Sequence, residues 1–178
     1  MKVHEEHKSK GPKELKVALV VVSTTRFEEL QEGKESTDKT IPLATSILNE
    51  YESISLSSSS IVSDDSTQIK EFLNKLIKIE DLHAILFSGG TGLSPKDITY
   101  ETIEPMLEKK INGFGELFRA LSYQEIGSSA MLSRAIAGKI ENKMIFLLPG
   151  SPNAVELALK KLIIPELGHL TYIINKKE

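Results

Sequence analysis

The chain has 178 residues, no cysteine and no tryptophan, and 22 Lys+Arg against 25 Asp+Glu for a formal net charge of −3. That length suits one ordinary domain with a full hydrophobic core, and 40% apolar with 26% charged residues excludes general disorder. Missing thiols exclude a disulfide scaffold, cysteine-ligated zinc, iron–sulfur clusters and thiol catalysis, while the near-neutral charge supplies no field for nucleic acid or anionic membrane.

In chain order, residues 1–14 mix both charge signs and hold too little apolar surface to offset ordering entropy. They are expected to form a flexible polar tail ahead of one domain over residues 15–178. His4 and His7 fall in that tail, His83 and His169 stand alone, and nothing completes a metal-ligand set. No apolar signal core opens the sequence, and no stretch reaches the roughly 18 residues of a membrane helix, so a cytoplasmic protein is expected.

Val17–Val22 is a continuous β-branched run, the signature of a central strand covered on both faces. The charged segment Phe27–Thr37 reads as a loop. A helix follows, with Leu43, Ile47 and Leu48 on its buried face and Thr37 or Asp38 as N-cap. Ser55–Ser60 lies between Ile54 and Ile61-Val62, so the serine run reads as an edge strand; a flexible linker is the alternative. Asp64-Asp65 then precede a helical stripe at Ile69, Phe72, Leu73, Leu76 and Ile77, where acids complement the macrodipole. Ala84–Phe87 is a short buried strand.

Beyond Gly92 the pattern predicts helices over Thr99–Lys110, Glu116–Ser122 and Ala130–Ala137, with Pro105 kinking or shortening the first. A hairpin is expected over Ile136–Ile140 and Lys143–Leu148, turning at Glu141-Asn142. A helix from Pro152 to about Ile164 leads to a poorly defined end. Strands alternating with helices imply an α/β fold: a three-layer α/β/α sandwich with a mainly parallel sheet.

Two loops carry candidate chemistry. In Ser88-Gly-Gly-Thr-Gly-Leu-Ser-Pro-Lys-Asp97, the residues Gly89, Gly90, Thr91 and Gly92 follow a buried strand, where backbone N–H groups can converge on an anion; a tight turn is the plain alternative. The loop lacks the Gly-Lys-Ser/Thr of a Walker A motif and the third glycine of a dinucleotide fingerprint. Ser94-Pro-Lys-Asp97 also fits a capping box with Ser94 as N-cap and Asp97 as its acid. Leu148-Pro-Gly-Ser-Pro-Asn-Ala154 places Pro149, Gly150 and Ser151 before a helix N-terminus, either an anion site or a simple connection. Ser23, Asp64 and both loops follow expected strands, so parallel neighbours would gather them on one rim. Lys96 and Arg134 are nearby cations, each equally readable as surface charge.

Four segments in order, Ser88–Asp97, Gly113-Phe-Gly-Glu-Leu-Phe-Arg119, Met131-Leu-Ser-Arg-Ala135 and Leu148–Ala154, resemble the MoaB/Mog family of molybdenum-cofactor biosynthesis, related to the G domain of gephyrin. The likeness runs from about Lys16 to Leu170. It implies a molybdopterin-binding fold assembled as trimers or hexamers, with cofactor-pathway proteins among its partners. It also implies adenylylation of molybdopterin with MgATP and release of pyrophosphate. The family's two functional aspartates fall on Asp64 and Asp97, which the resemblance makes the catalytic and Mg²⁺-holding pair. Its pterin-proximal serine falls on Ser133. Ser23-Thr-Thr-Arg26 stands where many members carry Ser-Asp, and Ser63 stands where the family pattern has proline. A catalytically silent pterin-binding or scaffold protein is the alternative within the family. A nucleotide-binding enzyme of unrelated substrate is the alternative outside it.

Overall fold

The computed structural model describes residues 11–176; the expected tail, with His4 and His7, falls largely outside them. Strand β1 (Leu15–Val22) pairs in parallel with β2 (Ile54–Val62) on one side and β3 (Ala84–Ser88) on the other. Strand β6 (Lys143–Leu148) pairs in parallel with β3. The order is β2-β1-β3-β6-β5-β4, closed by β5 (Ile136–Ile140) and β4 (Lys109–Ile111), both antiparallel to their neighbours. The sheet is therefore mixed but mainly parallel, as expected.

Period-2 alternation splits the core into two layers. From β1, Val17 and Leu19 face the layer shared with Ala44, Ile47, Leu48, Phe118 and Val155. Ala18, Val20 and Val22 face the layer of Ile69, Leu73, Leu76 and Ile103. Helices thus cover both faces, giving the α/β/α sandwich. The serine run is an edge strand and not a linker. Its register shifts between Val17 and Ala18, and the extra residue, Ser57, donates its hydroxyl to the Val17 carbonyl at 3.2 Å.

Several elements differ from expectation. Thr24–Gln31 is a helix, α1, capped by Ser23, where the sequence suggested a loop from Phe27. It buries no residue, so it carried no amphipathic signal. Helix α2 (Thr40–Leu48) is capped by Asp38, whose carboxylate accepts from the N–H groups of Thr40 (3.2 Å) and Ile41 (2.8 Å). Helix α3 (Ser66–Ile77) takes Asp65 as N-cap, accepting from the Gln68 N–H at 2.8 Å. The expected helix Thr99–Lys110 is only α4 (Thr99–Ile103) and a 3₁₀ turn, Glu104–Met106, before β4. Pro105 ends the α-hydrogen-bond ladder there.

Helix α5 (Asn112–Ile126) is longer than expected and ends at Gly127, φ +63°. The expected helix Ala130–Ala137 is instead a 3₁₀ turn, Gly127–Leu132, running into β5. The hairpin β5–β6 turns as expected, with Glu141 at φ +51°. The last helix continues well past Ile164: α6 (Pro152–Ala158), a π-turn (Leu159–Ile163) and α7 (Ile164–Asn175) run end to end. Pro165 follows the π-turn, whose wider backbone spares the proline ring a clash with the preceding turn.

Lys143 opens β6 fully buried, its ammonium donating to the Glu80 carbonyl at 3.0 Å. Burial lowers its pKa below the ordinary 10.5, against the raising influence of Asp81, Glu141 and Glu80. The charged form is thus disfavoured in the native state, a cost fully present below the lowered native pKa. It is relieved as pH rises from the lowered native value towards 10.5. Melting curves of wild type and Lys143→Met from neutral to alkaline pH should show wild type gaining on the variant. A pH-independent difference would contradict this.

Candidate active site

The parallel strands β2, β1, β3 and β6 end side by side at Val62, Val22, Ser88 and Leu148. The loops that follow enclose a cavity of about 750 Å³. It is lined by every site residue expected from the sequence: Ser23, Asp64, Gly89, Gly90, Thr91, Gly92, Asp97, Ser133, Pro149, Gly150 and Ser151. The convergence follows from topology, since carboxyl ends of parallel neighbours share one edge.

Asp64 and Asp65 divide their duties. Asp65 is spent as a helix cap, while the Asp64 Oδ2 atom accepts from the Thr24 N–H (2.9 Å) and hydroxyl (3.1 Å). This ties the β2 loop to the start of α1 and leaves Oδ1 without a hydrogen bond among the described residues. Oδ1 lies against the glycine loop, 3.0 Å from where a Cβ on Gly90 would stand. Asp97 sits on the loop's other flank. Its Oδ2 accepts from the Ser94 N–H at 3.0 Å and lies 2.7 Å from a Cβ position on Gly92. The expected capping box is corrected here, because no helix starts at Pro95 and the Ser94–Asp97 contacts close a turn ahead of α4.

The glycine loop is held in place on all sides. Gly89 (φ +110°) gives its N–H to the Leu148 carbonyl at 3.1 Å, so this amide, expected to face an anion, is occupied. The N–H groups of Gly90, Thr91 and Gly92 have no partner among the described residues. The Thr91 hydroxyl reaches the Leu148 carbonyl at 3.4 Å, and that of Ser88 reaches the Pro149 carbonyl at 3.1 Å. Gly150 packs against Gly89 so closely that a Cβ would sit 3.2 Å from the Gly89 Cα. Ser23 and Ser151 cap α1 and α6, accepting from the N–H groups of Arg26 (3.5 Å) and Ala154 (3.3 Å).

The two candidate cations resolve differently. Lys96 is exposed and does not line the cavity. Arg134 lies behind the loop: its Nε donates to the Thr91 carbonyl at 2.9 Å and its Nη2 to the Gly92 carbonyl. The guanidinium also pairs with Glu101, whose pKa this hydrogen bond lowers, and lies 4.8 Å over the Tyr100 ring. It clamps the loop carbonyls from outside the lining of the main cavity. Arg134→Gln should therefore speed hydrogen–deuterium exchange of the Gly89 and Thr99 amides, which bond the loop to the Leu148 and Gly90 carbonyls, by about tenfold while β1 and β3 stay protected. Unchanged exchange would refute the clamp.

Further residues complete the site. Thr25 and Arg26, in the unforeseen helix α1, line the cavity with Asp64, as does Thr37, whose N–H and hydroxyl donate to Glu29 of that helix. Phe118, Ile126, Ala130 and Leu132 line it from α5 and the following 3₁₀ turn. The segments Gly113–Arg119 and Met131–Ala135, singled out by the resemblance, carry Phe118 and Leu132 of that wall. Ser133 lies in this cavity and in the neighbouring one, and its Oγ accepts from the Ala135 N–H at 3.3 Å. The charged lining is Arg26 against Asp64 and Asp97, so side-chain charge alone does not draw an anion in. No three acidic or histidine side chains of the described residues cluster as a self-sufficient metal site. No helix of the described residues is long and apolar enough to cross a membrane.

Residues 18–169 match the family model described as "Probable molybdopterin binding domain". The chain is 44% identical over 173 residues to molybdenum cofactor biosynthesis protein B of Bacillus cereus, covering 97% of this chain and 98% of that protein. A crystal structure of a molybdenum cofactor biosynthesis protein B superposes with a TM-score of 0.83 at 45% identity, covering 93% of this chain and 99% of the other. The tungsten cofactor synthesizing protein MoaB from Pyrococcus furiosus gives a TM-score of 0.79 at 33% identity, over 93% and 99% of the two chains. With four ordered motifs meeting at one strand-end cavity and agreement along nearly its full length, the chain belongs to the MoaB/Mog family of molybdopterin-binding domains.

Proposed function

We propose that the protein is a molybdopterin adenylyltransferase of molybdenum or tungsten cofactor biosynthesis. The names of its relatives support the pathway. One observation carries the reaction: two carboxylates, Asp64 and Asp97, flank a glycine loop whose Gly90–Gly92 amides have no partner among the described residues, and apolar side chains line the same cavity. Amides and carboxylates suit phosphates with an accompanying cation, and the wall of Phe118, Ile126 and Leu132 suits a flat heterocycle.

In the reaction, an oxygen of the molybdopterin phosphate attacks the α-phosphorus of ATP. A phosphorus–oxygen bond forms as the bond to the β-phosphate oxygen breaks, and pyrophosphate leaves. The nucleophile is already an anion near neutral pH, so no strong general base is required. The barrier lies in aligning two anions and stabilising charge that grows on the leaving group. The Gly90–Gly92 amides would hold phosphate oxygens. The Pro149–Ser151 turn would fix their distance from the sheet edge, and the apolar wall would orient the ring system.

The donor set fits Mg²⁺ as a shared ligand of protein and phosphates, since Asp64 Oδ1 is unpaired and both carboxylates abut the loop. When bound, it would neutralise phosphate charge and polarise the reacting phosphorus. Mixing purified protein with molybdopterin, ATP and Mg²⁺ should release pyrophosphate. Pterin binding without ATP consumption would select the silent binder instead.

A further inference from the structure

We propose that Arg26 grips a phosphate group of the bound ligand, as the cation of a cavity otherwise furnished with carboxylates and backbone amides. This rests on the anion-binding reading of the cavity and names the side chain that carries it. Arg26 lies in the first turn of α1, and its residue lines the cavity with Ser23, Thr25 and Asp64. One nitrogen, Nη1, stands 3.5 Å from Asp38 Oδ1.

That carboxylate is 3% exposed and is itself fixed by the N–H groups of Thr40 and Ile41. Asp38 therefore anchors one edge of a guanidinium that is 25% exposed, leaving its other N–H donors to a ligand. A planar fork held at one edge is matched to the paired oxygens of a phosphate monoester or phosphoanhydride.

Elimination points the same way. Arg134 is occupied by two loop carbonyls and Glu101. Arg119 lies in the neighbouring cavity and is turned to the carbonyls of Ser133 and Ala135, both at 3.4 Å. Lys96 is exposed and does not line the cavity. Among the described residues, Arg26 is the cationic side chain that lines the site.

The test is isothermal titration of the full chain with inorganic pyrophosphate in magnesium-containing buffer. Wild type should bind saturably. Arg26→Gln should weaken binding about tenfold or more while the ligand-free melting temperature stays put. Arg26→Lys keeps the charge without the fork, so it should weaken binding by at least about threefold; it decides the matter if Arg26→Gln melts lower. Lys96→Gln should bind like wild type. Wild-type affinity in both Arg26 variants, or a loss in Lys96→Gln instead, would overturn the role of Arg26 alone. Absence of pyrophosphate binding by wild type would overturn the anion-binding reading beneath it.

Discussion

Replacing Asp97 with Asn is expected to cut pyrophosphate release by about 10²–10³-fold while the melting temperature hardly moves. The two halves have separate causes. The Asn amide oxygen can still accept the Ser94 N–H that Asp97 Oδ2 takes at 3.0 Å, so the turn beside Gly92 survives. What is lost is the negative charge on the loop flank, and with it one of the two carboxylates available to a Mg²⁺–phosphate assembly. Asp64→Asn should behave alike, because its amide oxygen can still serve the Thr24 N–H and hydroxyl. Pyrophosphate release within about threefold of wild type in both variants would remove the carboxylate pair from the reaction. That contrast separates chemistry from folding better than alanine would.

Gly89→Ala should fail in the opposite way, through stability. Gly89 has φ +110°, a region closed to most side chains, and an added Cβ would meet the Val22 carbonyl oxygen at 2.2 Å. That neighbour is backbone of a central strand and cannot turn aside. The expected cost is about 3 kcal/mol or more, which for a chain of this size lowers the melting temperature by roughly 10 °C. Gly90→Ala should cost less: its φ of +62° lies in the left-handed region that side chains enter at modest cost, and its Cβ would meet a side-chain atom, the Thr99 Oγ1 at 2.2 Å, and not strand backbone. Thermal melts of the two variants check the order. Equal stability of Gly89→Ala and wild type would mean the loop does not pack on β1 as described.

The buried strands and the loops that line the cavity were more legible than the elements around them. Val17–Val22, Ala84–Phe87 and Met144–Leu148 announce themselves because strands buried on both faces must be apolar throughout. Each is followed by a motif whose chemistry is local. Parallel pairing then brings those motifs together without further instruction. The serine run was legible as an edge strand because Ile54, Leu56 and Ile61-Val62 frame it.

Elements with little burial were harder. Helix α1 hides none of its residues, and β4 is Lys-Lys-Ile on the sheet edge, charged as exposed edges often are. Ala130–Ala137 misled because closely spaced apolar residues fit a helix, whereas Ala137 pairs opposite Phe146 in the sheet. Arg134 and Asp97 show a second limit. Local sequence reveals a charge but not the carbonyls or amides that engage it. The clamp on Thr91 and Gly92 depends on a contact across more than forty residues of chain. Arg26 was visible in the segment after the first strand, but the helix that carries it was not foreseen.

The opening composition acquires a physical sense from this arrangement. In a chain of net charge −3, the cavity is lined among the described residues by one arginine, two carboxylates and a glycine loop with three unpartnered amides. Anion binding then depends on fixed dipoles and an added cation more than on a lysine field. The measurement that tests adenylyl transfer most directly uses ATP labelled on the α-phosphate, incubated with the purified protein, molybdopterin and Mg²⁺. The label should move onto molybdopterin in equal amount with pyrophosphate released, and should not move in Asp97→Asn. Molybdopterin that binds but acquires no label, with ATP left intact, would contradict the account.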